Sequence, residues 1–301
     1  MTRSLVEVSV GSRLVTHAPV GVVPSRPATA ISSAANPKVK RLVTLRRRRV
    51  REEQGVSLVE GYEELDLALS AGTVPLEAYL CPDLIGDDPR GLEARLAAQA
   101  PVFHLSRAAF EKATYREGPD GWLAVVPRVE TTLTEIPIAD NPLVVVCGSV
   151  EKPGNLGAIL RTADAAGATA VVSVDPVTDW SNPNVIRASR GAVFSVPVAA
   201  SSAVDFLSWA RTCGLTVVAT TPDATEYVTD LDLSGPTAIL VGSEKHGLPT
   251  ELLASADRRA KLPMYGQVDS LNVAVSAAIV VYEAVRQRRE ADREARPGRS
   301  A

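Results

Sequence analysis

The run Leu143-Val144-Val145-Val146-Cys147 is apolar at every position. A strand with one wet face alternates polar and apolar residues, whereas an unbroken apolar strand must be covered on both sides, as in the middle of a parallel sheet. Parallel neighbours cannot be joined by tight turns and need crossover connections, usually helices. The surrounding residues supply that alternation: a helix over 155–166 closed by Gly167, a strand at 170–174, a polar turn through 181–184 and a short helix to Arg190. A strand at 194–198, a helix at 202–213, strands at 215–219, 238–241 and 260–262, and a long helix from about Leu271 to Arg289 complete the block.

An earlier block repeats the alternation on a smaller scale. Asn36-Pro37 reads as cap and first turn of a helix over 37–54, with Val39, Leu42 and Val43 on one side, Arg on the others and Gly55 at its end. Strands at 56–60, 76–81, 102–105 and 122–126 interleave with helices at 63–70, 91–99 and 106–113, a four-strand α/β unit. The expected organisation is a flexible arm at 1–30, a domain at 31–130, a linker at 127–141, a second domain at 141–290 and a flexible tail at 291–301.

Charge is unevenly spread. Residues 1–60 carry eleven Lys/Arg against four Glu, although the whole chain has a formal net charge of −3. Lys38, Lys40, Arg41, Arg46, Arg47, Arg48, Arg49 and Arg51 follow one another with no acid between them. Such cations repel unless anions offset them, so the segment is an expected phosphate contact; a solvated helix face is the plain alternative. No apolar run reaches the roughly 18 residues of a spanning helix, and the N-terminus lacks the three-part leader pattern; a cytoplasmic protein without membrane contact is expected. The cysteines, Cys81, Cys147 and Cys213, are too far apart in sequence for a CxxC pair and read as reduced, buried thiols. No metal site is expected.

Three clusters at strand ends carry the chemistry: NLGAILRTADAAGA at 155–168, ILVGSEKHGLP at 239–249 and LPMYGQVDSLNVAVSAAI at 262–279. Gly148, Gly154 and Gly157 miss the dinucleotide GxGxxG spacing, no P-loop Lys-Ser/Thr follows, and Gly242-Ser243-Glu244 makes no nucleophile elbow. The ordered triple resembles the signature motifs of the SpoU/TrmH family of ribose 2′-O-methyltransferases, in the SPOUT superfamily. Upstream, SAANPKVKRLVTL at 33–45, LVEGYEELDLAL at 58–69 and DGWLAVV at 120–126 resemble that family's substrate-binding domain.

The resemblance implies an α/β protein with a C-terminal trefoil-knotted parallel-sheet methyltransferase domain and an N-terminal L30e-like RNA-binding domain. It implies S-adenosylmethionine (AdoMet) as cofactor, RNA as substrate, 23S rRNA foremost, and a homodimer through the knotted domain, with the apolar residues of the last helix in its interface. The two-domain plan is similar to the avilamycin- and thiostrepton-resistance members. A transfer-RNA target or a non-catalytic RNA-binding module are the competing readings, the latter disfavoured by the presence of Asn155, Arg161 and Glu244.

Carried over residue by residue, the implied catalytic set is Arg161, Asn155, Glu244, Ser270 and Asn272, and the cofactor set is Thr220, Gly242, Leu262 and Leu271. Asn155 and Arg161 stand roughly 9 Å apart along the helix axis and do not stack. Arg161 acts either as a base in a special setting or as a stabiliser of developing alkoxide; a guanidinium ordinarily keeps its proton. Glu244 is expected to orient Arg161 or Asn155. Ser270 and Asn272 are also ordinary helix caps. Glycine at 242 is expected to let backbone approach the ligand. His246 reads as a loop residue.

Overall fold

The structure, a computed structural model, describes residues 29–295. The expected arm and tail lie outside the described residues at 1–28 and 296–301, but their inner ends are ordered: Thr29–Ile31 is a strand and the last helix continues to Glu294.

The N-terminal half runs β1 (Thr29–Ile31), α1 (Pro37–Thr44), α2 (Arg48–Gln54), β2 (Val56–Glu60), α3 (Tyr62–Ser70), β3 (Glu77–Leu80), α4 (Leu92–Ala97), β4 (Val102–Leu105), α5 (Arg107–Ala113) and β5 (Trp122–Pro127). Its sheet has the order β1-β4-β3-β5-β2, parallel across β1, β4 and β3 and antiparallel at β5. There are thus five strands rather than four, because β1 pairs with β4 at the end of what reads as an arm. The helix expected over 37–54 is also two helices. The chain breaks at residues 45–47, where Leu45 is buried and Arg51 turns inward to donate to the Leu45 and Arg46 carbonyls at 3.1 and 2.9 Å.

The C-terminal half runs β6 (Leu143–Gly148), α6 (Pro153–Ala166), β7 (Ala170–Val174), α7 (Pro183–Ala188), β8 (Val198–Ser201), α8 (Ala203–Thr212), β9 (Thr216–Thr220), β10 (Glu226–Tyr227), β11 (Thr237–Gly242), α9 (Thr250–Ser255), β12 (Arg258–Lys261) and α10 (Val273–Glu294). All seven strands are parallel, in the order β10-β12-β9-β11-β6-β7-β8. β6 is interior and buried at every residue, as its composition requires. The strand expected at 194–198 begins only at Val198, since Ala192–Phe194 forms a 3₁₀ turn after Gly191, which takes a left-handed φ of 82°. Short elements β10 and α9 carry no periodic signal.

One core runs through both halves. Val59, Leu65 and Trp122 of the first belong to the same buried cluster as Leu160, Ile186 and Val193 of the second. Helix α6 lies against α7, and Gly157 permits the approach: a Cβ there would meet the Ala188 Cβ at 2.4 Å. Helix α10 packs on α6 and β11, burying Val273, Val280 and Val281. Its opposite face leaves Val275, Ile279 and Tyr282 exposed. Of the apolar residues expected on a free face, Val273 and Val280 therefore belong to the core.

Candidate active site

Parallel strands place all their C-terminal ends on one edge of the sheet, where ligands of such folds gather. There β9, β11 and β12 and the start of α10 enclose a cavity of about 460 Å³. All four expected cofactor residues, Thr220, Gly242, Leu262 and Leu271, line it, together with Ser270, Asn272 and Glu244. The Thr220 hydroxyl is already committed, donating to the Leu240 carbonyl at 2.8 Å, so this residue offers backbone rather than a free hydroxyl.

Gly242 also has a packing reason to be bare. A Cβ at this position would lie 2.2 Å from the Gly247 carbonyl carbon and 2.3 Å from the Leu248 nitrogen, so the glycine makes room for its own loop. That loop closes through reciprocal backbone bonds between Ser243 and Gly247, 3.0 and 2.9 Å, with Gly247 at a left-handed φ of 65°. Glu244 sits on the resulting turn. His246 is exposed and uses only its backbone N–H, donated to Ser243 Oγ at 3.1 Å.

Three expected catalytic residues, 117 positions apart at the extremes, meet here. Asn272 caps α10, its Oδ1 accepting from the Ala274 N–H at 3.0 Å. Its Nδ2 donates to Asn155 Oδ1 at 3.1 Å and to Glu244 Oε1 at 2.5 Å. The other carboxylate oxygen takes an ion pair from Lys152, the residue before α6. The Lys152 ammonium holds the Glu244 carboxyl below its ordinary range, and the amides of Asn155 and Asn272 push the same way. Ser270 touches only its neighbour Asp269, at 3.3 Å. Arg161 does not join: it lies exposed on α6 and makes no ion pair or side-chain hydrogen bond among the described residues, Asp164 being engaged by Ser195 instead.

The SpoU rRNA Methylase family profile matches residues 142–282, and a profile for the MRM3-like substrate binding domain matches 36–124. The 23S rRNA (guanosine(2553)-2′-O)-methyltransferase RlmP of Bacillus subtilis is 33% identical over 252 residues, 84% of this chain and 97% of that protein. The chain belongs to the SpoU rRNA methylase family. Among solved structures, the AdoMet-bound rRNA methyltransferase of Sinorhizobium meliloti superposes with a TM-score of 0.79 at 31% identity, covering 86% of this chain and 98% of that one. AviRb of Streptomyces viridochromogenes, in complex with AdoMet, gives 0.77 at 27% identity, over 85% and 100% of the two chains.

In this SpoU protein the basic segment is less free than its sequence suggests. Lys38 and Arg41 both pair with Glu77 at 2.7 and 2.6 Å, Arg48 pairs with Glu52 at 2.8 Å and Arg49 with Glu53 at 2.7 Å. Arg46 donates to the Lys112 and Thr114 carbonyls. Acids thus offset four of these cations, and only Lys40 and Arg47 of the expected RNA set are exposed without a side-chain partner among the described residues. Lys152 was not foreseen. Its signal was present, since it is a cation three residues before Asn155 on one motif loop, facing an acid on another. Among the described residues no helix is long and apolar enough to cross a membrane, and no group of three or more His, Cys, Asp or Glu could hold a metal.

Proposed function

We infer that this chain transfers the methyl group of AdoMet to a ribose 2′-hydroxyl of ribosomal RNA, most specifically 23S rRNA. The observation that carries the reading is the meeting of Asn155 with Glu244 and Asn272, the latter two on the wall of a strand-end cavity that is also lined by all four expected cofactor residues. The lining fits the cofactor chemically: apolar Val241, Leu262, Leu271 and Val273 suit an adenine ring, and the acids Asp269 and Glu244 suit a cationic sulfonium. When bound, AdoMet supplies an activated methyl group.

This chain's own residues would then position and polarise. Glu244, kept ionised by Lys152, fixes the Asn272 amide, which in turn fixes the Asn155 side chain beside the place the ribose would take. Arg161 holds the neighbouring phosphate and the developing alkoxide through its guanidinium donors. Since it stands apart from the cluster within one subunit, the exposed α10 face of Val275, Ile279 and Tyr282 would pair two copies and bring Arg161 to the partner's cavity. The trefoil threading of the C-terminal chain, the L30e-like character of the first domain, its RNA contact through Lys40 and Arg47, and a cytoplasmic site of action belong to the same reading.

The test is incubation of purified protein with labelled AdoMet and either 23S rRNA or bulk tRNA, followed by primer extension at low deoxynucleotide concentration. A single stop on 23S rRNA is expected, and its position separates a housekeeping from a resistance target. Label entering tRNA alone would overturn the rRNA assignment.

A further inference from the structure

The last arginine of the basic run behaves unlike the others. Arg51 is 2% exposed, on α2 of the first domain, and its Nη2 forks onto both carboxylate oxygens of Asp179 at 3.0 and 2.9 Å. Asp179, 6% exposed, belongs to the loop after β7 of the second domain. Burying two charges is costly unless the geometry is fixed, and Arg51 also donates to the Leu45 and Arg46 carbonyls at the break between α1 and α2, leaving its Nε without a partner among the described residues. The same seam holds a buried Ser57 to Ser181 hydroxyl bond at 2.8 Å and an Arg48 bond to the Val177 carbonyl at 3.2 Å.

The Asp179 loop leads to the reaction centre. Thr178 Oγ1 donates to the Glu151 carbonyl at 2.5 Å, and the next residue, Lys152, holds Glu244. We propose that Arg51 is a positioning residue: its buried fork to Asp179 locks the substrate-binding domain onto the loop that braces Glu151 and Lys152, setting where RNA meets the methyl-transfer site. This rests on the function inferred above. Arg51 would therefore govern turnover rather than RNA affinity, because a displacement of about 1 Å at a reacting centre costs as much as 100-fold in rate.

Arg51→Met is expected to lower kcat at least about tenfold with AdoMet and RNA affinities near wild type. The hydroxyl contact supplies the rescue: in the double variant S57C and S181C, an oxidised disulfide across the seam should restore the rate of Arg51→Met, and dithiothreitol should remove it again. Asp179→Glu, which keeps both charges but displaces the fork, should reproduce the loss if Arg51→Met does not fold. A readout independent of catalysis is the rate at which the paired cysteines oxidise, expected to be slower without Arg51. Wild-type kcat in Arg51→Met or Asp179→Glu, failure of the locked disulfide to rescue, or equal oxidation rates would overturn the proposal. Weaker RNA binding with a flatter salt dependence in Arg51→Met would make Arg51 an RNA contact instead. A wild-type chain inactive on rRNA would sink the function while the oxidation rates still judge the lock.

Discussion

Two ion pairs summarise how the halves of this molecule use charge. Arg51 and Asp179 are almost wholly sequestered, with side chains 2% and 5% exposed, whereas in Lys152 and Glu244 the figures are 71% and 29%. A sequestered pair has exchanged water for one fixed geometry and serves the architecture. A wet pair at a cavity mouth stays available to a substrate and contributes little to folding. Reading function from charge therefore requires knowing which charges face solvent, and in the basic segment of the first domain most do not face it alone.

The sharpest way to break this contrast is at Arg161. Arg161→Ala should reduce methyl transfer by roughly 10³ in a filter-binding assay with labelled AdoMet, with cofactor affinity unchanged in calorimetry. Mixing it with an inactive Glu244→Gln chain should restore part of the activity if Arg161 serves the partner's cavity; no recovery would place it in its own.

Next in size is the sequestered pair. Asp179→Ala should cost about 3–5 kcal/mol in urea denaturation, because it strands a buried guanidinium. Lys152→Ala should leave the denaturation midpoint near wild type. What it changes is titration: without the ammonium, Glu244 protonates at higher pH, so the acidic limb of the rate–pH profile should move up. An unmoved limb would show that Glu244 need not be ionised.

Among the cations, replacing Lys40 and Arg47 by Ser should reduce the slope of log affinity against log salt by up to about 0.9 per lost phosphate contact. Replacing Lys38 and Arg41 should chiefly free Glu77 and lower stability. The smallest expected effect concerns Glu60, whose carboxyl is raised by burial against the opposing pull of the Tyr115 and Arg116 N–H groups. A raised carboxyl binds its proton more tightly folded than unfolded, so stability falls as pH rises from the ordinary Glu range through the raised one. Glu60→Gln should flatten that part of a pH-dependent melting curve.

Much of this was legible in residues alone. The apolar run at 143–147 announced a two-sided strand, and Gly55 and Gly167 ended their helices as left-handed caps, with φ of 63° and 65°. Thr220, Gly242, Leu262 and Leu271, far apart in sequence, line one cavity, and Asn155, Glu244 and Asn272 meet beside it. The break at residues 45–47 was not legible, because it depends on Asp179 reaching Arg51 from far along the chain. For the same reason the neutralisation of Lys38 and Arg41 was invisible: Glu77 lies outside any helical spacing from them. Strand β1 escaped notice because three residues without a period become a strand only by pairing with β4.

Gly157 has a further implication. With no side chain there, α6 and α7 meet at backbone distance, just two residues from Asn155 on one side and close to the seam on the other. Helix α7 in turn packs on β2 of the first domain, so a single missing methyl gauges how closely the helix that carries Asn155 sits to the helix that meets the other half. Residue 157 works as a shim, and inserting bulk there would be the most economical way to retune the clearance offered to a differently shaped RNA.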